Sequence, residues 1–216
     1  MIFCLRFLVL ATALCAAVSA YAAETSAEIR SDAGVNARRE PVIDWTRSVV
    51  SRGFGTTEAN QNATDLVRLR LKEAEASYFY GDYARARALW APLAEQGIAD
   101  AQANLGWIAQ RGLGAAIDLA QAKDWYSLAA KQGHAIAQNN LGALYEHGLG
   151  VPQDDVQALA WYQLSAASGY RYAQYNLAQF YLQGRALEKD LRQARLWLER
   201  AAAQGVAAAQ SELKVK

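Results

Sequence analysis

The chain reads as an all-α protein, an α/α superhelical solenoid of about four helix-turn-helix repeats with a 36-residue period and a C-terminal capping helix. Three observations predict this. Tryptophans recur 36 residues apart, at Trp125, Trp161 and Trp197. Glycines recur at the same interval in two registers, Gly112, Gly148, Gly184 and Gly133, Gly169, Gly205. The pair Ala101-Gln102 returns as Ala137-Gln138, Ala173-Gln174 and Ala209-Gln210. Self-similarity at a fixed period marks an array in which each unit buries its apolar face against the next.

The N-terminal segment is set apart from this array. Arg6 supplies a positive start, the run Phe7 to Val18 is apolar apart from Thr12, and Ala20 and Ala22 form an Ala-x-Ala pattern. This is the layout of a secretory signal peptide over 1–23, cleaved near residues 20–23, and the run is short for a membrane span. Retention as an N-terminal anchor is the rival reading. Cleavage leaves a mature chain of about 190 residues, a plausible size for one repeat domain with a tail, expected in the periplasm or secreted and with no transmembrane segment. Both cysteines, Cys4 and Cys15, lie in the signal. The mature chain then has no disulfide, thiol nucleophile or thiolate ligand. Removing Arg6 leaves 21 basic side chains against 21 acidic ones. Such a balanced chain has no electrostatic footprint for nucleic acid or an anionic membrane surface.

Residues 24–62 are polar, with Pro41 and only Val42-Ile43, Trp45, Val49-Val50 and Phe54 large and apolar. They read as a flexible leader holding at most one short ordered stretch. Trp45 is either a docking anchor or packs onto its own domain. From 63 the pattern turns helical. Leu66, Leu69, Ala74 and Tyr78 lead to a tight turn at Gly81-Asp82-Tyr83, and Ala86, Leu89, Trp90 and Leu93 to a second helix ending at Gly97. Residues 63–98 are therefore a divergent first repeat with a shorter internal turn, as terminal units often are.

Three full repeats follow, 99–134, 135–170 and 171–206. Each reads as helix A, a glycine-containing loop, helix B and a short turn. Asp118, Asp154 and Asp190 stand where a carboxylate caps helix B, accepting backbone N–H groups at its positive end. Gly133, Gly169 and Gly205 stand at a C′ position that needs positive φ. Residues 207–214 resemble one more helix A, covering the end of the array. Recurring small residues such as Ala122, Ala158 and Ala194 let helices approach closely, with the three tryptophans filling the space between repeats. Gly106 and Gly142 serve the same end, although Ala178 takes that place in the third repeat. A mid-helix glycine costs about 1 kcal/mol relative to alanine, so its return implies a contact that repays the cost.

The stretch Ala137-Gln138-Asn139-Asn140-Leu141-Gly142, followed by Gly148-Leu149-Gly150-Val151, Asp154, Trp161-Tyr162 and Ala166-Ala167, resembles the Sel-one-like repeats, short-loop relatives of the tetratricopeptide repeat. The resemblance covers roughly residues 65–214. Three departures stand out: Ala115 where Val151 is expected, Ala186 in place of the second loop glycine, and Leu198 in place of the tyrosine after tryptophan. The Ala186 change bears on the third loop's conformation. The resemblance implies an α/α scaffold that organises protein complexes, and no particular partner. A cysteine-rich secreted branch linked to β-lactam binding is not implied, because the cysteines are missing.

The inventory for chemistry is thin. His134 lies in an inter-repeat turn and His147 before a loop glycine, short of the convergent donors a metal needs. No Gly-x-Ser-x-Gly elbow appears, and Gly112-Leu113-Gly114 lacks the lysine and strand context of a phosphate loop. No catalytic residue, cofactor or metal is expected. On a helical wheel Ala101, Leu105, Ile108 and Ala109 share the buried face of helix A, with Ala103, Trp107 and Gln110 opposite. The equivalents Asn139, Ala143 and Glu146, then Tyr175, Gln179 and Leu182, vary while the buried positions recur. In such arrays helix A generally lines the concave side, so these positions are expected to form a groove for a protein partner. Trp107 and Tyr175 are of the type enriched at binding hot spots; for Trp107 the alternative is packing against the first repeat or the leader. Asn104, Asn140 and Asn176 are candidates for the groove or, if a small ligand such as a cell-wall fragment is bound or hydrolysed, for an inter-helix cleft. Their regular recurrence also fits a structural role in the helix-A stack. The expected function is a non-enzymatic, exported scaffold for protein–protein interaction.

Overall fold

The structure, a computed structural model, describes residues 58–215, with side chains from 63 to 214. The signal peptide reading and all but the end of the polar-leader reading fall outside these described residues. Nine helices follow one another, with no strand among the described residues: α1 (Glu58–Phe79), α2 (Tyr83–Glu95), α3 (Ala99–Arg111), α4 (Leu119–Lys131), α5 (Ala135–His147), α6 (Asp155–Ala167), α7 (Arg171–Gln183), α8 (Leu191–Ala203) and α9 (Ala207–Val215). Each packs against the helix before and after it, forming an α/α solenoid. Odd-numbered helices are the A helices and even-numbered ones the B helices.

Capping residues fix where each B helix starts. Asp118 Oδ1 accepts from the Gln121 N–H at 2.8 Å, Asp154 from Val156 and Gln157, and Asp190 from Arg192 and Gln193. Asp82 caps α2 in the same way through Arg85, although the first turn is shorter. The N–H of each loop aspartate in the full repeats also donates back to an A-helix carbonyl, Ala109, Tyr145 and Tyr181 in turn, at 2.9–3.1 Å. The loop is thereby clamped between its two helices.

The Ala-Gln pair has a clear structural reason. Gln102, Gln138, Gln174 and Gln210 each turn a side-chain amide back to a carbonyl near the end of the preceding B helix, Ala94, Ala130, Ala166 and Ala202. These carbonyls belong to the last turn of a helix, where intrahelical partners run out. The partner alanine is fully buried at Ala101, Ala137, Ala173 and Ala209.

The interior of the stack is filled one residue later than the tryptophan pattern suggests. Tyr126, Tyr162 and Leu198 are 0, 1 and 3% exposed, whereas Trp125, Trp161 and Trp197 are half-buried. Trp125 lies against the Trp90, Leu105 and Ile108 cluster, and Trp161 against the Tyr126 and Leu141 cluster. The tryptophans thus cover the seam to the preceding repeat while their neighbours fill it. On a helix, adjacent residues point about 100° apart, so only one of the pair can face the axis of the stack.

The third loop keeps the conformation of the other two. Gly114 and Gly150 have φ of +68° and +71°, and Ala186, standing in the same place, adopts φ of +56°. The clamp at Asp190 holds this alanine in a region that L-residues rarely occupy.

Candidate functional site

An A helix meets the B helix of its own repeat and that of the preceding one, and α3 also touches α5. Little of its surface is left to solvent. Ala103, Asn104, Asn139 and Asn140 are all buried, and Trp107, Gln110, Ala143, Glu146, Tyr175, Asn176 and Gln179 are half-buried. The wheel position opposite the core is therefore mostly a contact between successive A helices.

Those contacts are polar. Trp107 Nε1 donates to Tyr78 Oη of α1 at 2.8 Å, so the indole turns toward the first repeat, with the Arg111 guanidinium 4.2 Å from its ring centroid. Asn176 Nδ2 donates to Asn139 Oδ1 at 3.0 Å, and Asn139 Nδ2 to Asn140 Oδ1 at 3.2 Å, joining α5 and α7. Tyr175 Oη and Gln179 Nε2 both donate to Glu212 of α9, at 2.9 and 3.0 Å. Asn104 Nδ2 has no hydrogen-bond partner among the described residues. Ala143 lies against the Tyr162 and Phe180 cluster. Gln110 and Glu146 accept the phenol protons of Tyr126 and Tyr162, at 2.8 and 2.6 Å.

Glu146 also anchors an ionic cluster. Arg185 places Nη1 2.6 Å from Glu146 Oε1 and binds Asp155 through Nε at 3.0 Å and Nη2 at 2.5 Å. Its guanidinium lies 4.5 Å from the Phe180 ring centroid. Hydrogen bonding from Arg185 holds the Asp155 carboxyl below the usual range, and the pairing with Asp155 and Glu146 raises the Arg185 pKa further. Burial first, then the Glu146 carboxylate, pushes the Tyr162 phenol well up. Burial and Glu212 push Tyr175 up to about 12. Both phenols are therefore hydrogen-bond donors at neutral pH.

Sequence reasoning missed Arg185, Asp155, Tyr78 and Glu212. A signal existed for the first two. Arg185 stands where the other loops carry Leu113 and Leu149, and Asp155 where the other B helices begin with Leu119 and Leu191. Two coupled departures from a repeat, one cationic and one anionic, point to an ion pair. Nothing in the periodicity marks Glu212, which belongs to the unpaired cap.

The histidines sit apart from one another. His134 caps α5, its Nδ1 accepting from the Ala137 N–H at 3.1 Å while Nε2 faces Asp100 at 3.3 Å. His147 is exposed at the end of the same helix. Among the described residues no three His, Cys, Asp or Glu side chains are grouped to hold a metal ion, and no helix is long and apolar enough to cross a membrane. The row brings phenol, indole, amide and carboxylate groups together, bonded to neighbouring helices.

A family model described as Sel1 repeat matches residues 99–134, 135–170 and 171–206. A Sel1 repeat protein from Oxalobacter formigenes superposes with a TM-score of 0.64 at 29% identity, over 67% of this chain and 60% of that one. A protective antigen of uropathogenic Escherichia coli displaying an SLR fold superposes with a TM-score of 0.62 at 33% identity, over 67% of this chain and 32% of that one. The chain thus matches less than two thirds of either protein's length. No match is found among curated proteins.

Proposed function

The chain belongs to the Sel1 repeat family, and from that premise we propose that it is an exported, non-enzymatic scaffold holding a protein partner along its A helices. Proteins of this family generally mediate protein–protein interactions. The observation that carries the reading is the contrast along the A row. Positions that fill the stack repeat from unit to unit, as in Leu105, Leu141 and Leu177, whereas the half-buried positions change: Trp107, Ala143 and Gln179, or Gln110, Glu146 and Leu182. Uniform residues serve packing, and a changing row gives each unit its own chemistry, as recognition of one partner requires. Export rests on the signal-like segment at 1–23 and its Ala-x-Ala pattern, which places the partner in the cell envelope or outside it.

The test is cross-linking pull-down of the tagged protein from its own cell envelope, read by mass spectrometry. Cross-links from α3, α5 and α7 to one envelope protein are expected, with capture lost in Trp107→Ala/Tyr175→Ala while the helical circular dichroism is retained. Undiminished capture by that variant would sink the A-row assignment. A search of the soluble cytoplasmic fraction that finds the protein there with its first 23 residues intact would sink export.

A further inference from the structure

We propose that the cleft beside Trp125 is a binding site for a single aromatic side chain, a tyrosine or phenylalanine, of a protein partner. The cleft, of about 460 Å³, opens between α2, α3, the 112–118 loop and α4, and Trp125, Leu105 and Ile108 form part of its wall. It exists because the first full repeat departs from the other two. Ala109 and Ala115 line it, standing where the later repeats carry Tyr145 and Tyr181, and Val151 and Leu187. In the second repeat Tyr145 and Val151 pack beside Trp161 against the core. In the third, Tyr181 and Leu187 pack beside Trp197. The same geometry thus holds the chain's own phenol ring twice and is left without one in the first repeat.

The rim supports an outside ring. Ile117 is 64% exposed at the mouth, where the other loops place Gln153 and Lys189. An exposed isoleucine in place of polar residues lets an apolar partner pass with little desolvation cost. Arg87 lines the cleft and already donates to Leu113 O at 3.0 Å. Its counterpart at the second niche is Lys123, so the first and second niches both carry a cation at this position. A tyrosine entering the first niche would turn its hydroxyl toward Arg87 and its ring toward Trp125. Offset or edge-to-face ring contact adds to the area buried.

The proposal takes the partner to be a protein, as above, but its test needs no partner, so failure of the pull-down and failure of this site are separable. The full chain is labelled with 5-fluorotryptophan and titrated with N-acetyl-L-tyrosinamide, the Trp125 resonance being assigned by its loss in Trp125→Phe. The expected result is a saturable shift of that resonance, with Trp161 and Trp197 unmoved and N-acetyl-L-alaninamide without effect. Ala109→Tyr, which restores the residue of the other repeats, should weaken the response at least about tenfold and raise the melting temperature. Ala115→Leu fills the cleft from the loop and should weaken it likewise, should Ala109→Tyr not fold. No saturable shift in the parent chain, equal shifts of all three tryptophans, or a shift undiminished by the filling variants overturns the proposal. Phenol binding where the blocked tyrosine does not also overturns it, in favour of a site for free small aromatics.

Discussion

Gly106 lies directly beneath the ring of Tyr126, so close that a methyl group on its Cα would fall 2.7 Å from two ring carbons. Gly142 and Tyr162 repeat the relationship, with 3.0 Å to the ring. In the third repeat both partners change together: Ala178 replaces the glycine and Leu198 the tyrosine, and both are buried in one cluster. The two substitutions complement each other, since a Cβ on the A helix takes up space that the ring on the B helix fills in the other repeats.

Gly106→Ala should therefore destabilise the fold by about 1–2 kcal/mol, overpacking outweighing the gain in helix propensity. In a Tyr126→Leu background the same change should be neutral or stabilising. The coupling read from urea denaturation of the four proteins should be at least about 1 kcal/mol. Additive effects would break the link between the two departures.

Ser168→Gln should stabilise. Gln102 and Gln174 each receive a second hydrogen bond, from Gln132 and Gln204, at 2.8 and 2.9 Å. The residue in that place for Gln138 is Ser168, which bonds to Leu164 O instead, and Gln138 Oε1 is buried without a partner among the described residues. A glutamine there restores the missing donor, a gain of about 1 kcal/mol, read as a higher midpoint in chemical denaturation with unchanged slope.

Ala186→Gly should also stabilise, by about 0.5–1 kcal/mol, because glycine adopts the observed positive φ without the penalty alanine carries. The larger entropy of the unfolded glycine chain offsets part of the gain. Thermal melting of the single variant measures the difference, and a lowered midpoint would show that the alanine is not strained.

Arg185→Leu, which restores the residue of the other loops, should destabilise by about 1–3 kcal/mol, since it strips Glu146 and Asp155 of their cation. Adding Glu146→Gln and Asp155→Leu, the residues of the first full repeat, should recover most of that loss. Denaturation at low and high salt separates the two parts, the ionic contribution fading as screening increases.

Glu75 gives the fold a pH dependence. Burial first, and then the charge of Asp100, raise its pKa from 4.5 to about 7, with Lys72 opposing, and its Oε1 is buried without a hydrogen bond among the described residues. A folded pKa above the unfolded one means the folded state holds the proton more tightly. This contribution is complete below pH 4.5 and is lost as pH rises through 7. Glu75→Gln should remove the decline between those limits, so that the stability difference between parent and variant narrows or reverses on acidification. Parallel pH profiles for the two proteins would show that Glu75 titrates normally.

The sequence by itself determined the solenoid, its period, the three full repeats, the aspartate caps and the glycine stops. Each of these is a local device that one repeat carries whole, so recurrence exposes it: Asp118 caps α4 and Asp154 caps α6 by the same short reach. The tertiary structure decided what lies between units. It put Tyr126 rather than Trp125 on the inner seam, and tied Tyr175 and Gln179 to Glu212 of the cap. It also joined Arg185 to residues 30 and 39 positions earlier, and opened a cleft where Ala109 and Ala115 stand in for larger side chains. The physical reason is the same throughout. A period reports which residues are equivalent, whereas a contact between neighbouring helices depends on the direction of each side chain and the volume of the residue it meets. Neither quantity can be read from the period alone.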